Sequence, residues 1–289
     1  MSIDLSRAEK LPREHRYLNI SVLWIPWYRW MLRLLSVLRV PHEVVTGLSL
    51  ICGLLSAYWF YQSSLLFAAI ALHLKDIFDA CDGALARLTG RGHLIGRYLD
   101  SLGDFLVLTA VLGAIGLRAA ESSQIYYLWG ASAIFATFIQ CSFFNYYQLA
   151  YLERYGVDRL SSQRDERNRG DLERQFPGSV ARVAVTVLHR LYLIIYGWQD
   201  RLVAAIDNHL RKRTPTASDS RWFGSRGFMI AQSALCFGTQ IFVIIVAALI
   251  GRPQWALPFI GIGMTIYLAL LLWLRPRLLA EEEGTAAPV

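Results

Sequence analysis

Four aspartates at helical spacing are the residues of this chain best suited to chemistry: Asp79, Asp82, Asp100 and Asp104. They lie in stretches that are otherwise apolar enough to span a membrane. A carboxylate at membrane depth costs about 3 kcal/mol or more, so four together require a chemical reason. Divalent metal is the simplest one, because Mg²⁺ takes hard oxygen ligands and is the usual choice where carboxylates meet phosphate.

The spacing places these carboxylates on two helices. Residues three or four apart share a helix face, so Asp79 and Asp82 lie on neighbouring turns, and Asp100 and Asp104 form one stripe. The connection around Gly90 is short, which predicts antiparallel neighbouring helices whose carboxylates face each other. Four such groups can hold two ions about 3.5–4 Å apart, a spacing that clamps a transferring phosphoryl group.

Small and basic residues accompany the aspartates. Gly83 and Gly96 remove side chains where a bulky ligand must approach helix backbone. Arg87, just over one turn past Asp82, is placed for a phosphate oxygen. Acidic residues in a bundle can also be structural or form an ion pathway. That alternative carries less weight, because transport does not require glycine and arginine at these offsets.

The composition indicates a polytopic membrane protein, since 55% of the residues are hydrophobic. The formal net charge of +7 is typical of basic cytoplasmic loops and contact with anionic lipid headgroups. We find no nucleic-acid-binding motif and expect no nucleic acid partner. The four cysteines form no C-x2-C pair, which argues against a zinc site or a disulfide framework.

Six apolar runs are long enough to span a bilayer, which takes about 20 helical residues. They lie near residues 43–62, 64–86, 94–118, 125–151, 227–250 and 254–275. We therefore predict an all-α integral membrane protein, a six-transmembrane-helix bundle with interfacial amphipathic helices. The predicted divisions are an N-terminal segment, spans one to four with the aspartates, a cytoplasmic loop, and spans five and six with the tail: 1–40, 41–152, 153–226 and 227–289.

Two segments are predicted to lie on the membrane surface. Residues 20–38 mix tryptophans and leucines with Arg29 and Arg33, which is typical of an interfacial helix. Residues 180–210 contain an apolar run broken by His189 and Arg190, which favours a second one. The alternatives are a short spanning helix for the first segment and a seventh span for the second.

The distribution of basic residues predicts the orientation. Arginines and lysines are dense before the first span, between the second and third, and between the fourth and fifth. The intervening turns, near Ser63 and Ser122, are nearly bare. The positive-inside rule then puts both termini and the aspartates on the cytoplasmic side. We expect a multi-pass protein of a bacterial inner (plasma) membrane.

The spacing D-x2-D-G-x2-A-R-x8-G-x3-D-x3-D resembles the signature of the CDP-alcohol phosphotransferase family. The defined positions match without a gap: Asp79, Asp82, Gly83, Ala86, Arg87, Gly96, Asp100 and Asp104. The match covers 26 residues directly. Members of that family transfer a phospho-alcohol group from a CDP-linked donor to a hydroxyl acceptor and release CMP.

The resemblance implies a role for each acidic residue. Asp79, Asp82 and Asp100 would be metal ligands, and Asp104 would bind the second metal and act as general base on the acceptor hydroxyl. The implied cofactor is a pair of Mg²⁺ ions, with Mn²⁺ as a substitute. A homodimer is also expected from the family.

The resemblance further implies that Gly83, Ala86 and Arg87 form the binding site for the CDP donor. Many members begin the first span with a P-N-x-x-T-like sequence that helps to hold the nucleotide. Here the sequence from Pro41 to Thr46 lacks the Asn and spaces the Thr one residue further. Thr46 is the resulting candidate for a nucleotide contact, and His93 is a second.

The signature serves more than one reaction. The leading hypothesis is a phospholipid-synthesising transferase that uses CDP-diacylglycerol and a polar alcohol. The alternative enzyme uses CDP-choline or CDP-ethanolamine with a lipid alcohol, and the non-enzymatic alternative is an ion-binding membrane carrier. Basic candidates for a phosphorylated acceptor are Arg97, Arg118, Arg154 and Arg159. Of these, Arg118 is expected on the side opposite to the aspartates, and the favoured alternative for Arg154 and Arg159 is that they are ordinary basic residues of a cytoplasmic loop. Candidates for hydrogen bonds to a polyol are Asn145, Tyr146, Tyr147 and Gln148.

Overall fold

The computed structural model describes residues 17–89, 94–155, 179–213 and 219–285. Within these ranges the chain is helical and contains no strand, as predicted. A 3₁₀ turn at Ile20–Trp24 leads into the first helix. The helices of the first half are α1 (Ile25–Val37), α2 (His42–Tyr61), α3 (Leu65–Thr89), α4 (Leu94–Ala120) and α5 (Ile125–Arg154).

Shorter helices and two π-helical turns make up the second half. The turns are Leu193–Gly197, which joins α6 to α7, and Phe259–Gly263, which precedes α12. The helices are α6 (Ser179–Tyr192), α7 (Trp198–Lys212), α8 (Asp219–Gly224), α9 (Arg226–Ser233), α10 (Phe237–Leu249), α11 (Ala256–Pro258) and α12 (Met264–Thr285).

Five helical stretches among the described residues are long and apolar enough to cross a membrane. They are His42–Tyr61, Tyr98–Ala120, Ile125–Arg154, Arg226–Leu249 and Pro253–Pro276. The sequence predicted a sixth span in α3. This helix has 25 residues, about 38 Å at 1.5 Å per residue, but its charged side chains keep it outside that set.

The chain divides into two compact units. Among the described residues, the first unit contains 18–89, 94–141 and 233–266. The second contains Tyr17, 142–155, 179–213, 219–232 and 267–285. The candidate site lies within the first unit.

Helices α2 and α3 run antiparallel and in contact along most of their length. Small hydroxyl residues of α2 connect the two helices, because Ser56 donates to the Ala68 carbonyl (2.9 Å) and Ser49 to the Lys75 carbonyl (3.1 Å). Helix α2 also packs against α4. The two helices approach closely at Gly53, where a Cβ atom would lie 2.5 Å from both γ-carbons of Val107.

The short helix α1 packs on the end of α3 that carries the aspartates. Leu32 and Leu35 are buried in a cluster with Cys81, Ala84 and other apolar residues of α2 and α3. The opposite side of α1 exposes large aromatic side chains, with Trp27 61% exposed. One apolar face of α1 therefore packs against α2 and α3, and its other apolar face is exposed.

Candidate active site

Lys75 joins the two helices that carry the aspartates. Its ammonium lies 3.4 Å from Asp79 Oδ1, four residues further along α3, and in direct contact with Asp104 Oδ1 of α4. The Lys75 side chain is only 3% exposed. Removing an ammonium from water is costly unless it is paired, and these carboxylates supply the pairing. Asp79 and Asp104 thus share one buried counter-charge.

Thr46 binds Asp82, the last aspartate of α3. Its hydroxyl lies 2.8 Å from Asp82 Oδ2 and 3.1 Å from the His42 carbonyl oxygen. The single hydroxyl proton serves one acceptor at a time, so Thr46 donates either to Asp82 or to the backbone of its own helix. The residue predicted to contact a nucleotide is therefore placed at the aspartate cluster.

The carboxylates of the cluster act on one another. Asp100 interacts electrostatically with three other carboxylates and with the Lys75 ammonium. The three are those of Asp79, Asp104 and Asp82. The structure brings together the four aspartates that the spacing selected. Like charges at such proximity repel and require counter-charge, which Lys75 supplies only in part.

The glycine and arginine positions leave space around the cluster. A Cβ atom at Gly83 would lie 3.4 Å from Arg87 Nη1, so the arginine folds back along its own helix over the glycine. A Cβ atom at Gly96 would meet no atom of the described residues within 4 Å. Ala86 follows Asp82 by one turn and is partly buried. These positions are compatible with a ligand beside the helix backbone, which remains a prediction.

Tyr28 of α1 reaches the same end of α3. Burial raises the pKa of the Tyr28 hydroxyl above its usual value, and the positive charge of Arg87 acts in the opposite direction. The hydroxyl therefore remains protonated at neutral pH. Arg87 interacts electrostatically with both Tyr28 and Asp82, which places α1 close to the aspartate cluster.

The acidic side chains fit a hard divalent cation by their chemistry, since carboxylate oxygens are what Mg²⁺ binds. Their present orientations do not surround a common point. Within the described ranges, no group of three acidic, histidine or cysteine side chains is arranged to hold a metal ion. Lys75 draws Asp79 and Asp104 to itself. Cation binding would require these two carboxylates to turn from the ammonium toward Asp82 and Asp100.

The basic residues predicted to bind the substrates lie in different parts of the structure. Arg118 donates to Ser63 Oγ (2.7 Å) and contacts Glu121, at the ends of α3 and α4 opposite to the aspartates. It is therefore excluded from the site. Arg97 lies in α4. His93 and Arg159 fall outside the described residues.

The tyrosines predicted to bind a polyol acceptor have other hydrogen-bond partners. Within the second unit, Tyr147 and Tyr146 donate to Asp207 of α7 (2.7 and 3.2 Å). Gln148 Nε2 donates to the Tyr17 hydroxyl, and Asn145 is exposed. Arg154 packs against Gly224, whose Cβ would lie 3.0 Å from Arg154 Nε. The tyrosine hydroxyls are thus engaged in packing this unit.

Sequence reasoning missed Lys75. A signal was present, because Lys75 and Asp79 are four residues apart, the spacing of a helical ion pair. The contact with Asp104, 29 residues away, has no local signal. It depends on how α3 and α4 are held side by side.

Comparison with known proteins agrees with these features. Residues 39–273 match the sequence profile described as CDP-alcohol phosphatidyltransferase. Over 107 residues, 37% of this chain, the sequence is 30% identical to an archaetidylinositol phosphate synthase from Pyrococcus horikoshii. The chain covers 57% of that relative's length. The profile spans most of the chain and includes every aspartate of the cluster, so this protein belongs to the CDP-alcohol phosphatidyltransferase family.

Proposed function

We propose that this enzyme transfers a phosphatidyl group from CDP-diacylglycerol to the hydroxyl of a polar alcohol and releases CMP. The observation that carries this proposal is the convergence of four carboxylates from α3 and α4, within a chain of this family. The relative's name favours a lipid-linked product with an inositol phosphate headgroup, so inositol phosphate belongs among the acceptors to test.

The proposed chemistry assigns the proton transfer to Asp104. Asp104 accepts the proton of the acceptor hydroxyl while that oxygen forms a bond to the β-phosphorus of the donor. The bond from this phosphorus to the bridging oxygen breaks, and CMP leaves with the bond's electrons. Arg87 and Thr46 orient the donor. Mg²⁺ held by Asp79, Asp82, Asp100 and Asp104 would neutralise charge on the donor phosphates.

We further propose that α3 also crosses the membrane, which brings the number of spans to six. Helix α3 follows α2 from the Ser56–Ala68 contact to the Thr46–Asp82 contact, and α2 is itself apolar enough to cross. In this arrangement α1 lies at the interface, and the aspartates lie near the cytoplasmic surface of a bacterial inner membrane. A lipid-tailed donor suits that depth. The family resemblance adds the expectation of a homodimer.

CMP release from purified protein in lipid nanodiscs tests the reaction. We expect release from CDP-diacylglycerol with an alcohol acceptor and Mg²⁺ or Mn²⁺, and none after EDTA treatment. An ion carrier would release no CMP under any of these conditions. CDP-choline and CDP-ethanolamine with diacylglycerol form the comparison arm, and release only in that arm would reverse the donor assignment.

Asp104→Asn tests the proposed base. We expect loss of turnover, about a thousandfold or more, because the amide cannot accept the proton. Elution as a single folded species is the accompanying check, since Asp104 also pairs with Lys75. Asp100→Asn is the companion variant, because it preserves the Lys75–Asp104 pair. Turnover by a folded Asp104→Asn variant at the native rate would refute the role.

A further inference from the structure

Helices α6 and α7 carry an apolar surface that faces away from the protein. We define the outward stripe as Val183, Val187, Leu191, Ile194 and Leu202. Its members are 40–70% exposed. They recur every three or four residues or at a multiple of that spacing, so they follow one side of the helix across the π-helical turn. Such a stripe is too long and continuous for chance surface exposure.

The opposite side of this helical segment is fixed to α5. Gln199 Oε1 accepts from Ser142 (2.7 Å), and both side chains are buried. Asp207 is fully buried, and it accepts from Tyr147 (2.7 Å) and from the Trp222 indole (2.8 Å). The outward stripe therefore belongs to a docked helix whose orientation is set by buried polar contacts.

The contact with α5 indicates the depth of the segment. Helix α5 has 30 residues, about 45 Å, against about 30 Å of hydrocarbon. Its last ten residues, NYYQLAYLER, are polar and tyrosine-rich, so the excess length lies at that end. Ser142 lies one turn before this stretch. Gln199 is thus held near the level where hydrocarbon meets headgroups.

Basic residues follow one edge of the outward stripe. Arg190 and Arg201 are both exposed and lie about three helical turns apart, which puts them on one line. An apolar face with arginines along its border is complementary to an anionic lipid surface. We infer that the outward stripe lies in the surface of the anionic phospholipid bilayer that α5 crosses, with Arg190 and Arg201 at the headgroups.

A second copy of the chain would cover the stripe without requiring its basic edge. A seventh span is also disfavoured, because it would put the exposed Arg190, which interrupts the apolar run, at membrane depth. The bilayer surface accounts for the apolar stripe, the arginines and the level of Gln199 together. This inference does not depend on which reaction the enzyme performs.

Depth-dependent quenching tests the inference on the full-length protein. A bimane label is placed at Val187→Cys in the outward stripe, or at Asn208→Cys, an exposed polar position of α7, as the matched control. Cys52 is replaced by Ala in both variants, because the other three cysteines are buried. The proteins are reconstituted in nanodiscs of phosphatidylcholine and phosphatidylglycerol, with bromines either near the carbonyl end of the tails or near the bilayer centre.

We expect bromines near the carbonyl end to quench the label at Val187 at least about twofold more than the control label. Arg190→Gln with Arg201→Gln should reduce this quenching to the level seen in discs of phosphatidylcholine alone. Strong quenching by aqueous iodide at Val187 would overturn the inference. So would strongest quenching by central bromines, which indicates a span, or protection from both quenchers with label–label contact between copies.

Discussion

At the scale of single residues, Lys75 determines the charge balance of the aspartate cluster. Its ammonium touches Asp104 and lies 3.4 Å from Asp79, while its side chain is 97% removed from solvent. In Lys75→Met the two carboxylates lose this partner. Loss of one member of a buried pair costs about 3–5 kcal/mol, so we expect lower thermal stability in EDTA.

Unfolding in the presence of a divalent cation distinguishes this electrostatic role of Lys75 from a role in packing alone. If Mg²⁺ occupies the aspartates, adding it should restore more stability to Lys75→Met than to the native protein, because stabilisation follows ligand affinity for the folded state. Unfolding midpoints of both proteins in EDTA and in Mg²⁺ measure the difference. Equal midpoints for the two proteins in EDTA would show that the pair contributes nothing.

Thr46 offers a second test at this scale, with one variant that keeps the shape of the side chain and one that keeps its hydroxyl. Thr46→Val keeps the branched shape and removes the hydroxyl that binds Asp82, while Thr46→Ser keeps the hydroxyl. A hydrogen bond to a charged group contributes about 1.5–3 kcal/mol. We therefore expect kcat/KM for the CDP donor to fall about tenfold or more in Thr46→Val and to stay near native in Thr46→Ser. Equal kcat/KM values for both variants would show that the Thr46 hydroxyl does not contribute to donor binding or turnover.

Spacing within one helix predicted which aspartates share a face, and the short connection between α3 and α4 predicted that the two faces meet. The electrostatic interaction of Asp100 with Asp79, Asp82 and Asp104 agrees with this, whereas the hydrogen bond from Thr46 to Asp82 was not predicted. Lys75 was missed because its contact with Asp104 is made between helices. Arg118 was expected on the side opposite to the aspartates, and its contacts with Ser63 and Glu121 agree with that position.

At the scale of elements, α2 packs closely against α4 because Gly53 lacks a side chain. A Cβ there would lie 2.5 Å from both γ-carbons of Val107, a stiff β-branched residue that cannot turn aside. We expect Gly53→Ala to lower the free energy of unfolding by about 1–3 kcal/mol. Val107→Ala in the same protein should recover part of that loss, as measured by thermal unfolding in detergent.

Gly47 provides the control on the same helix. A Cβ at Gly47 would meet nothing within 4 Å, so Gly47→Ala gains helix propensity without a clash. We expect it to be neutral or to add about 0.5–1 kcal/mol. Equal destabilisation by both substitutions would mean that helix packing at Gly53 does not limit stability.

Helix positions were also predictable, and helix interruptions were not. The predicted runs 43–62 and 125–151 correspond to α2 and α5 within three residues at each end. The run 227–250 is split at residues 234–236 between α9 and α10, and the run 254–275 contains the Phe259–Gly263 π-helical turn. Apolarity marks a span but carries no signal for these breaks, where side chains of α5 bind backbone carbonyls: Gln140 Nε2 donates to Ile260 (2.9 Å) and Cys141 Sγ to Leu235 (3.4 Å).

At the scale of the whole molecule, the number of membrane crossings depends on α3. The proposal of six spans puts both termini on one side. Five crossings would put them on opposite sides. The hydrogen bond from Arg118 to Ser63 (2.7 Å) joins the α2–α3 turn to the end of α4, which brings the turns near Ser63 and Ser122 to the same end of their helices. If α2 and α4 both cross the membrane, this placement means that α3 returns across it between them, as the proposal of six spans expects.

Cysteine accessibility in intact cells provides the test. We expect Ser63→Cys and Ser122→Cys to react with a membrane-impermeant maleimide added outside, since both turns lack the basic residues retained in the cytoplasm. Lys212→Cys, at the end of α7, should react only after permeabilisation. If Ser63→Cys and Ser122→Cys label from opposite sides, α3 does not cross the membrane, and the proposal of six spans is wrong.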